Sequence, residues 1–244
     1  MTSISPSQRS LDGRVAVLTG VSRRGQVGEA VAQWLAERGA AVVLIDRTGV
    51  EAEARASELR DRGYQATAFG ADLTSASQLD AVSQSVASAF DGIDALVNIA
   101  GGFSMSGKVS DSDPEAWARQ LAIGLSTSYF ATRAFLPLVR KRRGAVLYFA
   151  SAAALPGGRV AEMSAYAVSK SGVITLMRAV AQEEREAGVR ANALAPTSIR
   201  TVTNVDAMGN SARYVEREQV AEAVEFLCFA EAGRAITGQV VQLG

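Results

Sequence analysis

The sequence predicts an α/β fold: a single doubly wound domain over residues 11–244, with a mostly parallel seven-stranded sheet, behind a flexible segment at residues 1–10. Two observations carry this. Short apolar runs alternate without a break with helical stretches, the pattern of strands covered on both faces by crossover helices. A glycine-containing turn between the first run and the first helix is followed by an acid, Asp46, at the end of the second run, the order expected of an open parallel sheet with a ligand crevice at its carboxyl edge.

The elements follow in order. Arg14 to Thr19 reads as a central strand, and Gln26 to Arg38 as a helix whose apolar face carries Val27, Val31 and Leu35 and which stops at Gly39. Ala41 to Ile45 is a second buried strand, Glu51 to Arg62 a solvent-facing helix closed by Gly63, and Gln65 to Gly70 a third strand. Ser75-Ala76-Ser77-Gln78 has the spacing of a capping box and starts a helix to Phe90. Ala95 to Val97 is a fourth strand leading into Asn98-Ile99-Ala100-Gly101-Gly102. Asp113-Pro114-Glu115 combines an N-cap, a first-turn proline and a first-turn acid. One helix is expected from there past Phe135 to Arg140-Lys141-Arg142-Arg143, whose charges complement the helix C-terminus. Ala145 to Phe149 is a fifth strand, a helix runs through Tyr166 to Ala187, and Val189 to Leu194 is a sixth strand. Glu218 to Ala230 forms the last helix and Gln239 to Val241 the last strand.

Composition excludes several chemistries. Lys+Arg and Asp+Glu balance at 25 each, which argues against a nucleic-acid groove or a polybasic membrane contact. The chain has no histidine and one cysteine, Cys228, so histidine-based nucleophilic mechanisms, a disulfide and a cysteine-rich metal site are out, and no metal is expected. Cys228 lies in an apolar run and reads as a core thiol. The N-terminus lacks the apolar run of a signal peptide and no stretch is long enough to span a membrane, so a cytoplasmic location is expected.

Two constellations point to chemistry. Tyr166 and Lys170 stand four apart on one helix and share a face. An ammonium close to a phenol favours the phenolate, which is the expected route to an acid–base catalyst in a chain without histidine. The second is the turn Thr19-Gly20-Val21-Ser22-Arg23-Arg24-Gly25-Gln26-Val27-Gly28, where glycines let the backbone approach a pyrophosphate at a helix N-terminus. Asp46 is then placed to accept the ribose hydroxyls of NAD and to repel the extra phosphate of NADP. Arg23, Arg24 and Arg47 pull the other way, so NAD(H) is preferred with NADP(H) possible.

Together these features resemble the short-chain dehydrogenase/reductase family over Leu11 to Gly244, which implies a Rossmann-type domain and reversible hydride transfer between nicotinamide and a carbonyl or secondary alcohol. Ser151, Tyr166 and Lys170 match the family's catalytic serine, tyrosine and lysine. The resemblance implies cofactor contacts from Gly20, Ser22, Arg23, Gly25, Val27, Gly28, Asp46 and Arg47, from Asp72 and Leu73 at the adenine, and from Asn98, Ala100 and Gly101. Tyr166 and Lys170 reach the nicotinamide ribose, and Pro196, Thr197 and Ile199 follow the segment that closes over the ring. Gly102, Phe103, Ala153 and Met163 are the substrate-side candidates, with Thr197 beside them. The family likeness also implies a homotetramer, or a homodimer, packed through the helices that start at Asp113 and Tyr166.

The chain departs from the family pattern in several places. The glycine turn has two extra residues, Gly124 stands where the family carries a helix-borne asparagine, and Thr197 replaces a glycine. The stretch from Pro196 to Val220 leaves little for a helical substrate lid, which together with Ala100-Gly101-Gly102-Phe103 is similar to dihydropteridine-reductase-like members and adds a pterin reductase as an alternative. Gly124 motivates a third reading, a dinucleotide-binding sensor with decayed catalysis.

Overall fold

The computed structural model describes residues 10–244; the expected flexible segment lies outside the described residues except for Ser10, whose hydroxyl donates to Glu225. The strands are β1 (Val15–Thr19), β2 (Ala41–Asp46), β3 (Ala66–Gly70), β4 (Ala95–Asn98), β5 (Ala145–Phe149), β6 (Arg190–Pro196) and β7 (Val240–Leu243). They form one seven-stranded sheet in the order β3-β2-β1-β4-β5-β6-β7. Every neighbouring pair is parallel, so the sheet is wholly rather than mostly parallel. The order reverses between β1 and β4, where Thr19 lies opposite Asn98; the carboxyl ends of the strands at such a reversal are where open parallel sheets hold their ligand crevice.

The helices are α1 (Val27–Glu37), α2 (Gly49–Asp61), α3 (Ala76–Ala89), α4 (Pro114–Leu121), α5 (Thr127–Arg142), α6 (Ser164–Glu183), α7 (Val202–Met208) and α8 (Arg217–Cys228). Each central strand is apolar on both sides because helices cover both faces. Val15 and Val17 of β1 join a core with Phe135, Tyr148 and Met177, while Ala16 and Leu18 join the opposite core with Leu35, Leu147 and Val224. The Asp113 side chain accepts from the amides of Glu115 and Ala116, and Ser75 caps α3 through Gln78, as their sequence signatures require.

One expectation is qualified and two change. The helix expected from Asp113 does run on to Arg142, but a π turn, Ala122–Ser126, centred on Gly124, divides it into α4 and α5. Here α6 presses so close that a Cβ at Gly124 would lie 2.5 Å from the Ser169 Oγ and 2.9 Å from its Cβ. α6 itself stops at Glu183, where the Glu184 carboxylate turns back to a bidentate pair with Arg140 at 2.6 and 2.5 Å. The stretch after Pro196 does hold a short helix, α7, in the place where no lid helix was expected, capped by Thr201 through the Asn204 amide. Of the basic cluster, Arg140 is therefore committed to Glu184, and Arg143 closes α5 in a left-handed conformation at φ 48°.

Arg190 at the start of β6 ties the strand to the end of α8. Its guanidinium donates to the carbonyls of Leu227, Cys228 and Gly233 at 2.6, 2.9 and 3.0 Å, occupying the C-terminal end of α8. Among the described residues no helix is long and apolar enough to cross a membrane, and no cluster of three metal-ligating side chains occurs.

Candidate active site

Ser151 leaves the carboxyl end of β5 and is buried; its Oγ accepts from the Ala153 amide at 3.3 Å, which starts a short 3-10 turn over Ala152–Ala154. Tyr166 and Lys170 project from the first two turns of α6 toward the same strand end. The Lys170 ammonium, 5% exposed, donates to the Phe149 carbonyl at 2.7 Å and sits 6.0 Å from the Tyr166 ring centroid. Burial without a carboxylate partner pulls its pKa down to about 8. Burial pushes the Tyr166 phenol up from its ordinary value, and the Ser151 hydroxyl opposes it in part. The expectation that lysine depresses this phenol is thus reversed in the protein alone, because the ammonium is turned to a backbone carbonyl and desolvation dominates.

The glycine turn lies across the crevice. Gly20, at φ +79°, lets its backbone meet Ala100 where a Cβ would come to 2.7 Å of the Ala100 Cα, and the Ala100 amide donates to the Thr19 hydroxyl at 3.3 Å. This brings the turn against the Asn98–Gly101 segment. The Gln26 side chain, at the N-cap of α1, makes no cap bond to the helix. A dinucleotide fits here: uncapped helix amides for a pyrophosphate, and Asp46 at the end of β2. Asp46 Oδ2 accepts from the Ser22 amide at 3.1 Å, leaving the carboxylate half-buried at the crevice.

The other expected contacts differ in kind. Arg24 is paired with Glu58, Arg23 is exposed, and Arg47 lies near enough to Asp72 to favour its ionised form. The Asp72 carboxylate is held below its usual range first by the Thr74 hydroxyl and amide, at 2.7 and 2.9 Å. Val27, Leu73 and Ile199 have buried side chains within the two cores, Asn98 donates to Thr132 at 3.3 Å, and Gly28 packs on Gly20, where a Cβ would lie 2.3 Å from its carbonyl. Pro196 ends β6, and the Thr197 amide pairs with Leu243 at 3.0 Å.

Among the residues expected on the substrate side, the Phe103 ring lies at right angles to the Tyr166 ring, with centroids 5.1 Å apart at 84°. Ala153 lies in the turn after Ser151, and Met163 precedes α6, its carbonyl accepting from the Ala167 amide. The Gly25 carbonyl accepts from the Val202 amide at 3.1 Å and Gln26 Nε2 donates to the Thr203 hydroxyl at 3.0 Å, so the enlarged glycine turn reaches helix α7. Glu29 braces that turn by accepting from the Gly25 amide at 2.6 Å.

Sequence reasoning missed Gln120, whose buried carboxamide joins Gly102 and Ser104, and missed Glu29 and Glu162. Of these only Glu29 carried a signal, as an acid in the first turn of a helix behind a glycine turn.

Comparison with known proteins bears on this geometry. The family model described as short chain dehydrogenase matches residues 14–211. A galactitol 2-dehydrogenase of Rhizobium johnstonii is 34% identical over 96% of this chain and 94% of its own length. A 3-oxoacyl-(acyl-carrier-protein) reductase of Vibrio cholerae is 30% identical over 96% and 97%. The crystal structure of a gluconate 5-dehydrogenase from Burkholderia cenocepacia J2315, in complex with NADP and tartrate, superposes with a TM-score of 0.87 at 26% identity, covering 97% of this chain and 95% of that one.

Proposed function

Because the chain belongs to the short-chain dehydrogenase family, whose members interconvert alcohols and carbonyls, we propose that Tyr166, Lys170 and Ser151 carry reversible hydride transfer between a nicotinamide dinucleotide and a small-molecule carbonyl or secondary alcohol. The observation that carries this is the convergence of the Tyr166 phenol, the Ser151 hydroxyl and the buried Lys170 ammonium at the carboxyl end of β5, beside the crevice between β1 and β4.

Nicotinamide supplies the hydride when bound. The protein's part is acid–base chemistry and positioning. The raised pKa of Tyr166 keeps its proton in place at neutral pH, so it can donate to a carbonyl oxygen as charge grows there. Ser151 offers a second hydroxyl to that oxygen and steadies its charge. Lys170 holds a positive charge behind the phenol below about pH 8, opposing the negative charge left on Tyr166 once its proton has gone. In oxidation the same groups act in reverse.

The dinucleotide would lie along the glycine turn, with Asp46 at the adenosine ribose. NAD(H) is the preferred form on two grounds: Asp46 opposes an added phosphate, and Arg24, one of its candidate clamps, is already paired with Glu58. Replacing Asp46→Ala is expected to raise the kcat/KM ratio for NADPH over NADH by about tenfold or more, read from initial rates with each cofactor.

Tyr166→Phe is expected to lower carbonyl reduction by about 100-fold or more, the scale of general acid catalysis, while the NADH dissociation constant by fluorescence changes little. Unchanged turnover in that variant sinks the assignment. A panel of simple ketones, 3-oxoacyl thioesters, sugars and quinonoid dihydropterin distinguishes a broad carbonyl reductase from a pterin enzyme, and NADH binding without turnover across it indicates a sensor. The exposed Ile123 in the π turn before α5, Tyr129 of α5 and Val168 of α6 support assembly through these helices as a homotetramer, which a monomeric mass by light scattering rejects. A cytoplasmic location is part of the same reading.

A further inference from the structure

We propose that Gln120 is a positioning residue that holds Phe103 as the aromatic wall of the substrate pocket, so that the site favours carbonyl compounds bearing an apolar or aromatic group. This rests on the oxidoreductase reading above.

Gln120 lies in the last turn of α4 and is 2% exposed. A buried carboxamide is costly unless both its ends are bonded. Both are, and both bonds go to one loop: Nε2 donates to the Gly102 carbonyl at 2.9 Å and Oε1 accepts from the Ser104 hydroxyl at 2.7 Å. These are the two neighbours of Phe103. One side chain therefore grips the loop on either side of that ring. Further on, the amides of Ser106 and Gly107 donate to the Glu162 carbonyl at 2.7 and 3.1 Å, which fixes the other end of the loop to the segment before α6.

Phe103 is stretched between these anchors, edge-on to Tyr166, yet it is 59% exposed. Its inner edge meets the phenol and its outer surface is bare. Met105 on the same loop and Val160 on the facing segment are also half bare, so the entrance beside Tyr166 presents apolar surface. A large exposed ring immobilised beside the reacting hydroxyl is suited to contact the substituent of a substrate rather than to fill a core.

Gly124 belongs to the same device. A Cβ there would meet Gln120 Nε2 at 3.3 Å as well as the Ser169 hydroxyl, so the space a side chain at 124 would need is taken by the Gln120 amide and by Ser169.

The test has two arms. In the first, 4-fluorophenylalanine is placed at position 103 and its fluorine resonance is followed without any turnover. Gln120→Met, similar in length but without hydrogen bonds, is expected to move the resonance toward that of a freely turning ring; Ser104→Ala, which removes one bond only, is expected to move it part of the way. In the second, Gln120→Met and Phe103→Ala are each expected to raise KM for an aryl ketone by about tenfold, more than they lower kcat, and the double variant to be no worse than Phe103→Ala alone. A resonance unmoved in Gln120→Met, or KM effects that multiply in the double variant, would overturn the clamp. Absence of turnover in the unmodified protein refutes the oxidoreductase reading instead, and the fluorine arm still decides whether Gln120 holds the ring.

Discussion

Lys170, in the catalytic role proposed for it, would be a group kept at the expense of stability. Its ammonium is buried with a single carbonyl partner, and its pKa falls to about 8 from an ordinary 10.5. The sign follows from proton counting. Below about pH 8 folded and unfolded chains both hold the proton, and the burial penalty is present in full. Between about 8 and 10.5 the unfolded chain holds more protons, so stability rises with pH. Stability of the wild type relative to Lys170→Met is therefore expected to increase by about 3 kcal/mol across that window, measured by urea unfolding of the cofactor-free protein at a series of pH values. The variant is expected to match or exceed wild-type stability at pH 7 and to lose turnover by about 100-fold. The Tyr166–Lys170 pairing was legible because helical spacing is periodic. That the ammonium turns to Phe149 was not, since that carbonyl is 21 residues away in sequence and becomes a neighbour only once β5 and α6 are packed.

Among elements, the π turn between α4 and α5 is instructive. The stretch from Pro114 to Arg142 reads as one helix, and glycine within it looks like a simple cost of about 1 kcal/mol against alanine. The close approach of α6 reverses that sign. Gly124→Ala is expected to destabilise the protein by about 1–2 kcal/mol despite the better helix former, because overpacking against Ser169 outweighs propensity. Thermal unfolding would show this as a drop of a few degrees, and Ser169→Gly in the same chain would recover part of it. An asparagine at 124 would meet Ser169 sooner still, so the departure from the family pattern is a packing choice shared by two helices. No property of residues 114–142 alone encodes it.

For the whole molecule, the strands and the doubly wound class of the sheet were the most legible features, because two-sided burial forces long apolar runs and crossover chirality leaves few arrangements. All seven strands were anticipated, with boundaries a residue or two off. Helix α7 was not, since seven residues with one capping threonine carry little periodic signal. Its bonds to the glycine turn have a further bearing. The Val202 amide and the Thr203 hydroxyl are held by Gly25 and Gln26, so the turn proposed to seat the dinucleotide is tied to the helix that would cover the substrate. Arrival of NADH should quieten the cover before any carbonyl comes, making attachment sequential with the dinucleotide leading. Hydrogen exchange across residues 202–208 is expected to slow on adding NADH alone, and unchanged exchange would mean the two reactants arrive independently.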